Sequence, residues 1–172
     1  MLATLRNNFI PLKVGVFVWR ARRNRFPVLF ELDKRGIDLH SVLCPLCDNS
    51  IETVEHTLFS CPKVWEIWDK VLKWWGINSS SYGRLSFDSL LRGESTLQCS
   101  IFSAKVWQAM MWTSFYLIWK NLNQKVFNNS SWSPLVALND IQVESYEWVA
   151  ERCKTKKIEW LDWLQNPSIF LL

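Results

Sequence analysis

The chain has 172 residues, of which 49% are hydrophobic and 21% charged, and its formal net charge is +4. This composition is sufficient for a buried core and predicts a globular fold rather than an unfolded chain. Met1–Arg6 is followed by two asparagines rather than by an apolar segment, and the longest apolar stretch, about 109–119, is shorter than a bilayer span. We therefore expect neither a signal peptide nor a membrane segment. Five cysteines without such a leader predict a reducing, intracellular compartment, nuclear or cytoplasmic.

The first 36 residues predict two helices. Apolar residues recur at helical spacing after a proline, so we expect a first helix over about 12–23. A second apolar pattern covers about 28–35, and Gly36 is typical of a residue that ends a helix. The following segment, 37–51, predicts turns and short extended structure.

Positive charge is concentrated at the end of the first predicted helix. Eight basic and three acidic residues precede the first cysteine, whereas the remainder of the chain has twelve basic and thirteen acidic residues. A clustered arginine face can contact a nucleic-acid phosphate backbone. The candidate nucleic-acid-binding residues are Lys13, Arg20, Arg22, Arg23 and Arg25. The alternative is a solvated helix end whose cations complement the helix dipole.

Three cysteines and one of the two histidines fall in the pattern C-x2-C-x8-H-x4-C. Three thiolates and one imidazole form a ligand set that is typical of structural zinc sites. The candidate metal ligands are Cys44, Cys47, His56 and Cys61. We expect Thr53 to cap the helical turn that carries the histidine, and His40 to be a surface residue. A redox dithiol at the C-x-x-C motif is an alternative, as is simple burial of the cysteines.

The remainder of the chain predicts four more helices, separated by residues that favour turns. We expect them from Pro62 to Gly76, from Ser86 to Gly93, over about 98–127 and over about 134–165. The segment 78–83 predicts a surface loop or a soft boundary. The last two helices are expected to pack as an antiparallel hairpin.

We thus predict a mainly α fold, a helical bundle with a small zinc-stapled turn or β-hairpin subdomain near the N-terminus. In this division residues 1–77 form the zinc-binding domain and residues 78–172 form a Trp-rich helical segment. The chain has 12 tryptophans, and several lie on apolar helix faces, which favours burial. Trp19 beside Arg20 and Trp74 beside Lys73 offer the aromatic and basic neighbours that base stacking uses.

Several motifs in the first half of the chain resemble a known family. They are Pro11-Leu12-Lys13-Val14, Phe17-Val18-Trp19-Arg20-Ala21, Arg25-Phe26-Pro27, Cys44-Pro45-Leu46-Cys47 and Glu52-Thr53-Val54-Glu55-His56-Thr57-Leu58-Phe59-Ser60-Cys61. Over about residues 9–76 the chain resembles the reverse-transcriptase zinc-binding domain (zf-RVT) of plant non-LTR retrotransposon polyproteins. Ile118-Trp119-Lys120 resembles part of the helical segment that follows this domain, with Leu122 where an arginine is usual.

This resemblance implies a zinc-binding module with a role in handling RNA or single-stranded DNA. It also implies a possible protein partner such as a reverse transcriptase. The chain contains no Asp-Asp pair, no Walker loop, no G-x-S-x-G elbow and no H-E-x-x-H motif, so we expect no enzyme activity. Four protein ligands leave no open position on zinc for an activated water. The alternatives are a protein-interaction or structural module, or a retroelement remnant without selected activity.

Overall fold

The computed structural model describes residues 7–78, 83–94 and 100–168. Seven α-helices and one π-helical turn follow one another along these ranges. They are α1 (Leu12–Ala21), α2 (Leu29–Asp33), the π-turn (His56–Ser60), α3 (Pro62–Trp74), α4 (Phe87–Arg92), α5 (Ile101–Asn128), α6 (Pro134–Arg152) and α7 (Trp160–Gln165). The described part contains no β-strand and a single isolated bridge, which pairs Leu43 with Ile51. The predicted mainly α fold is confirmed.

Helix ends follow the residues that local chemistry favours. Gly76 has φ +70°, and its N–H donates to Lys73 O at 2.9 Å while Ile77 N–H donates to Leu72 O at 2.9 Å. This pair of bonds is a Schellman motif, which needs the left-handed backbone that glycine adopts without strain. At the other end of a helix, Ser86 and Ser89 exchange hydrogen bonds in a capping box. The four residues 79–82 of the predicted surface loop lie outside the described part.

The predicted last helix, 134–165, is instead two helices. α6 ends at Arg152, and the chain turns through residues 153–159 before α7 begins at Trp160. Four consecutive polar residues, Lys154 to Lys157, occupy this turn and interrupt the buried helical face, and the buried Ile158 follows them. The turn lets α7 fold back, so that Trp160 packs 5.0 Å from the Tyr146 ring. Tertiary packing therefore ends a helix that sequence spacing alone extends.

The long helix α5 lies at the centre of the molecule. Residues from Val106 to Ile118 are almost all buried, and α1, α4 and α6 pack around them. α5 and α6 are antiparallel, because Tyr116 faces Trp148 and Lys120 Nζ lies 3.4 Å from a carboxylate oxygen of Glu144. The predicted helical hairpin is present.

Most tryptophan side chains lie inside this core. The Trp75 ring packs edge-on against Trp107 at 5.2 Å and against Trp163 at 6.4 Å, and all three are buried. One hydrophobic core includes residues from both 1–77 and 78–172; the division at 77/78 stays a prediction. No helix within the described ranges combines the length and apolar character needed to cross a membrane.

Candidate metal centre and basic surface

A short hairpin positions the first two candidate ligands. Cys44 N–H donates to Ser50 O and Glu52 N–H donates to Val42 O, both at 2.8 Å, on either side of the single bridge. The turn closes when Asp48 N–H donates to Cys44 O at 2.9 Å, with Asp48 in the left-handed region at φ +50°. The predicted β-hairpin thus contains a single bridge, and the turn that follows Leu43 carries Cys44 and Cys47.

A π-turn positions the other two ligands. Thr53 Oγ1 accepts a hydrogen bond from His56 N–H at 3.1 Å, as expected of a helix cap. Cys61 N–H then donates to His56 O at 2.9 Å, a bond that spans five residues rather than four. The extra residue widens the turn between the two ligands. Pro62 starts α3 immediately afterwards, so Cys61 lies at the N-terminus of a helix.

The four side chains converge on one point. All four ligand atoms lie within 4.8 Å of one another, with Cys44 Sγ and Cys61 Sγ 3.9 Å apart and Cys47 Sγ and His56 Nε2 3.4 Å apart. Zinc bonds of about 2.3 Å to sulfur and 2.0 Å to nitrogen give tetrahedral edges of about 3.8 Å and 3.5 Å, respectively. The two observed distances match these edges. Cys44, Cys47, His56 and Cys61 are therefore positioned to hold one zinc ion, with Nε2 as the histidine donor.

Burial favours a metal at this point over solvated thiols. Cys44 and Cys61 are fully buried and His56 is 8% exposed. The contact with Cys61 and burial raise the pKa of Cys44, whereas the same sulfur–sulfur contact lowers the pKa of Cys61. Burial lowers the pKa of His56, which keeps the imidazole in the neutral form that binds metals. A zinc ion bound here would displace the thiol protons of all three cysteines and would offset two of the three thiolate charges.

The alternatives raised by the C-x-x-C motif fit this geometry less well. Cys44 lies in the hairpin rather than at a helix N-terminus, where a redox dithiol has its reactive cysteine. Simple burial of the cysteines as apolar residues does not explain why His56 Nε2 faces a sulfur. His40 is exposed and is outside the cluster, as predicted.

Comparison with protein families gives the same assignment. Residues 2–68 match the zf-RVT family, zinc-binding in reverse transcriptase. The matched region contains all four ligands and covers less than half of the chain. No curated protein and no solved structure matches the chain. The resemblance seen in the sequence motifs is confirmed for this region.

Glu52 connects the hairpin that carries Cys44 and Cys47 to α2. Its carboxylate accepts a hydrogen bond from Leu29 N–H at 2.6 Å, and its carbonyl accepts from Phe30 N–H at 3.4 Å. Glu52 is only 5% exposed, and burial raises the pKa of its carboxyl group. A raised carboxyl pKa favours the folded state fully at low pH, and this contribution is lost as the pH rises through the raised value. Sequence reasoning missed this residue because nothing in the pattern marks a buried carboxylate.

The capping role of Glu52 can be tested by two substitutions in the zinc-loaded protein at pH 7. Glu52→Ala leaves Leu29 N–H without its acceptor and is expected to cost about 1–3 kcal/mol of unfolding free energy. Glu52→Gln keeps an acceptor oxygen without a buried charge, so it should lie within about 1 kcal/mol of the parent protein. Urea unfolding provides the measurement, with Glu55→Ala on an exposed neighbour as the control. A loss for Glu52→Ala no larger than that for Glu55→Ala would show that Glu52 does not act as a cap.

The five candidate nucleic-acid-binding residues lie on α1 and directly after it, and all are exposed. Arg20 Nε donates to Arg25 O at 3.4 Å, and Arg23 lies over the Trp19 ring at 4.9 Å. Lys13 is separate from the arginines and lies 5.5 Å from both the Tyr116 and Trp148 rings. No carboxylate of the described residues forms an ion pair with any of the five. The four arginines therefore form one exposed cationic surface at the C-terminal end of α1.

Proposed function

We propose that this protein is a non-catalytic zinc-binding module of retroelement origin that binds RNA or single-stranded DNA through the end of α1. The observation that carries the proposal is the exposed group Arg20, Arg22, Arg23 and Arg25, which no described carboxylate neutralises. Unpaired guanidinium groups in water are free to contact phosphates and release counterions. Such binding depends steeply on salt and only weakly on sequence.

The metal centre supports this surface through a short series of contacts. Zinc, when bound, fixes the hairpin that carries Glu52. Glu52 holds the start of α2 at Leu29, and the buried residues Phe26 and Val28 lie just before that point. Arg20 lies 6.0 Å from the Phe26 ring and donates to the carbonyl of Arg25. The arginine surface is thus attached to a segment whose path the zinc hairpin restricts.

The tryptophans favour phosphate contacts over extensive base stacking. All 12 are buried or partly buried, and Trp74 donates its Nε1–H to the carbonyls of Trp163 and Leu164 at 3.0 and 2.9 Å. Trp74 therefore lies in the core and is not free to stack on a base. Trp19, partly exposed beneath Arg23, keeps the combination of ring and cation that a stacked base would use.

A closed ligand set supports the non-catalytic part of the proposal. Three sulfurs and one nitrogen complete a tetrahedron, so the metal has no open position at which to activate water. The role that the centre can perform is structural.

One observation favours the alternative of a protein-interaction module. Large apolar residues are exposed where α5 and α6 meet, with Phe127 79% and Leu135 65% exposed. The buried tryptophans, by contrast, are not available to a partner. A retroelement remnant without selected activity predicts neither nucleic-acid affinity nor a specific partner, so a binding measurement separates it from both.

The arginine surface predicts a specific change in salt dependence. Removing two phosphate contacts with Arg22→Ala and Arg23→Ala together should make the slope of log K against log salt about 1.4 less steep for a single strand. The measurement is fluorescence anisotropy of a labelled 20-nucleotide oligo(U) at 50 and 200 mM salt. The matched control is Lys63→Ala with Lys73→Ala, two exposed lysines on α3. Absence of binding by the parent protein at 50 mM salt would refute the proposed function.

A further inference from the structure

A second group of cations lies in the turn between α6 and α7. Lys154, Lys156 and Lys157 are all exposed within four residues, and the only described carboxylate that pairs with any of them is Glu159, on Lys157 at 2.7 Å. Acidic residues elsewhere balance these lysines, so the net charge after residue 43 does not reveal the group. The lysines are adjacent in the sequence as Lys154-Thr155-Lys156-Lys157. A helix predicted through these positions would place them on different sides, so the sequence did not indicate one cationic group.

The fold brings further cations to the same place. A cleft of about 630 Å³ lies between the start of α5 and this turn, and its lining includes Lys105, Arg152 and Lys154. Lys156 Nζ lies 5.3 Å from the ring of Phe102, which also lines the cleft. Glu151 is the one carboxylate among the described lining residues, and it lies 3.4 Å from Arg152. The cleft therefore has more basic than acidic residues in its lining, and it has an aromatic wall.

The cleft and the arginine surface lie toward opposite ends of the contact between α1 and α5. Phe9 packs on Phe102, Phe17 packs on Tyr116 and Phe26 packs on Trp119, so α1 and the residues beside it run parallel to α5. The distance along α5 from residue 102 to residue 119 is about 25 Å at about 1.5 Å per residue. Lys13 lies between the two ends, over Tyr116 and Trp148. A single strand that follows the contact between α1 and α5 would meet cations at both ends and at Lys13 between them.

We propose that the cleft between α5 and the α6–α7 turn is a second contact surface for the phosphate backbone of single-stranded RNA. The contacting residues are Lys105, Arg152 and Lys154 of the cleft lining, together with the exposed Lys156 and Lys157 beside them in the turn. This inference rests on the proposed function and extends it, because one strand then engages the arginines of α1 and the cleft together. The partner chemistry follows from charge complementarity between a polyanion and two separated cationic groups.

The test measures binding of the zinc-loaded full chain to labelled 20-nucleotide oligo(U) across a salt series. Lys154→Ala, Lys156→Ala and Lys157→Ala are combined in one variant, and the matched control is Lys63→Ala, Lys73→Ala and Lys120→Ala. The cleft variant is expected to lower affinity at least about tenfold at 50 mM salt and to make the salt slope about 2 less steep, from three lost phosphate contacts. A Lys→Arg version at the same three positions keeps the charge and should bind as the parent does. Circular dichroism and zinc content verify that each variant is folded.

The outcomes separate this inference from the proposed function. If the cleft variant matches its control while Arg22→Ala with Arg23→Ala weakens binding, the second surface is refuted and the function stands. If the cleft variant weakens binding and the arginine variant does not, the cleft is supported and the α1 surface fails. If the parent protein does not bind oligo(U) at low salt, both are refuted.

Discussion

Replacing Cys47 with serine is expected to abolish stoichiometric zinc binding, whereas Cys153→Ser leaves zinc content unchanged. Cys47 is one of the four converging ligands and is only partly buried, so its loss acts through the metal rather than through a cavity in the core. Changes in residues around metal ligands already lower affinity about 10–100-fold. Loss of a ligand should exceed that range. Cys153 has similar partial burial and lies outside the cluster, which makes it a matched control.

The same substitution is expected to destabilise the fold. A loss of about 100-fold or more in affinity corresponds to about 3 kcal/mol. For a chain of this length such a loss lowers the thermal midpoint by about 6–12 °C. Differential scanning fluorimetry with and without a strong chelator provides the measurement, and the chelator should shift the parent protein but not the variant. A chelator shift of equal size in both proteins would show that Cys47 does not hold the metal.

Truncating Trp68 to alanine is expected to be the most damaging core substitution, costing about 3–5 kcal/mol. Trp68 is fully buried, its ring lies 4.8 Å from Phe115 on α5, and its Nε1–H donates to Leu58 O at 2.9 Å. Leu58 lies in the π-turn between the ligands His56 and Cys61. Trp68 therefore connects the metal centre to the central helix, and its loss should also weaken zinc binding.

A graded series separates the two roles of Trp68. Trp68→Phe keeps most of the packing but leaves Leu58 O without its donor, so it should cost about 1–3 kcal/mol. Leu12→Ala, at a position 82% exposed, should stay within about 0.5 kcal/mol of the parent. Urea unfolding of zinc-loaded protein measures all three. A loss below 1 kcal/mol for Trp68→Ala would contradict the packing described for α3 and α5.

The ligand set and most helix ends could be predicted because they depend on neighbours in sequence. Cys44 and Cys47 belong to one turn, and His56 and Cys61 flank another, so spacing alone limits where their side chains can meet. Thr53, Ser86 and Gly76 act on backbone groups within a few residues of themselves. Local chemistry of this kind is visible without a fold.

The features that the sequence did not reveal depend on contacts between distant residues. α6 ends at Arg152 because α7 packs back on the core. Trp160 of α7 lies against Tyr146, and the carbonyl of Trp163 accepts a hydrogen bond from Trp74, which is 89 residues earlier in the sequence. Glu52 is a buried cap only because the hairpin meets α2. The cationic cleft exists only because Lys105 on α5 is placed beside Lys154. Neither the spacing of apolar residues nor the count of charges indicates which distant residues come into contact.

X-ray absorption at the zinc edge of the purified protein, with metal content per chain, tests the central claim most directly. We predict one zinc per chain, with three sulfur neighbours at about 2.3 Å and one nitrogen neighbour at about 2.0 Å. A protein that retains no zinc, or zinc surrounded by oxygen and nitrogen atoms without sulfur, would contradict the assignment of Cys44, Cys47, His56 and Cys61.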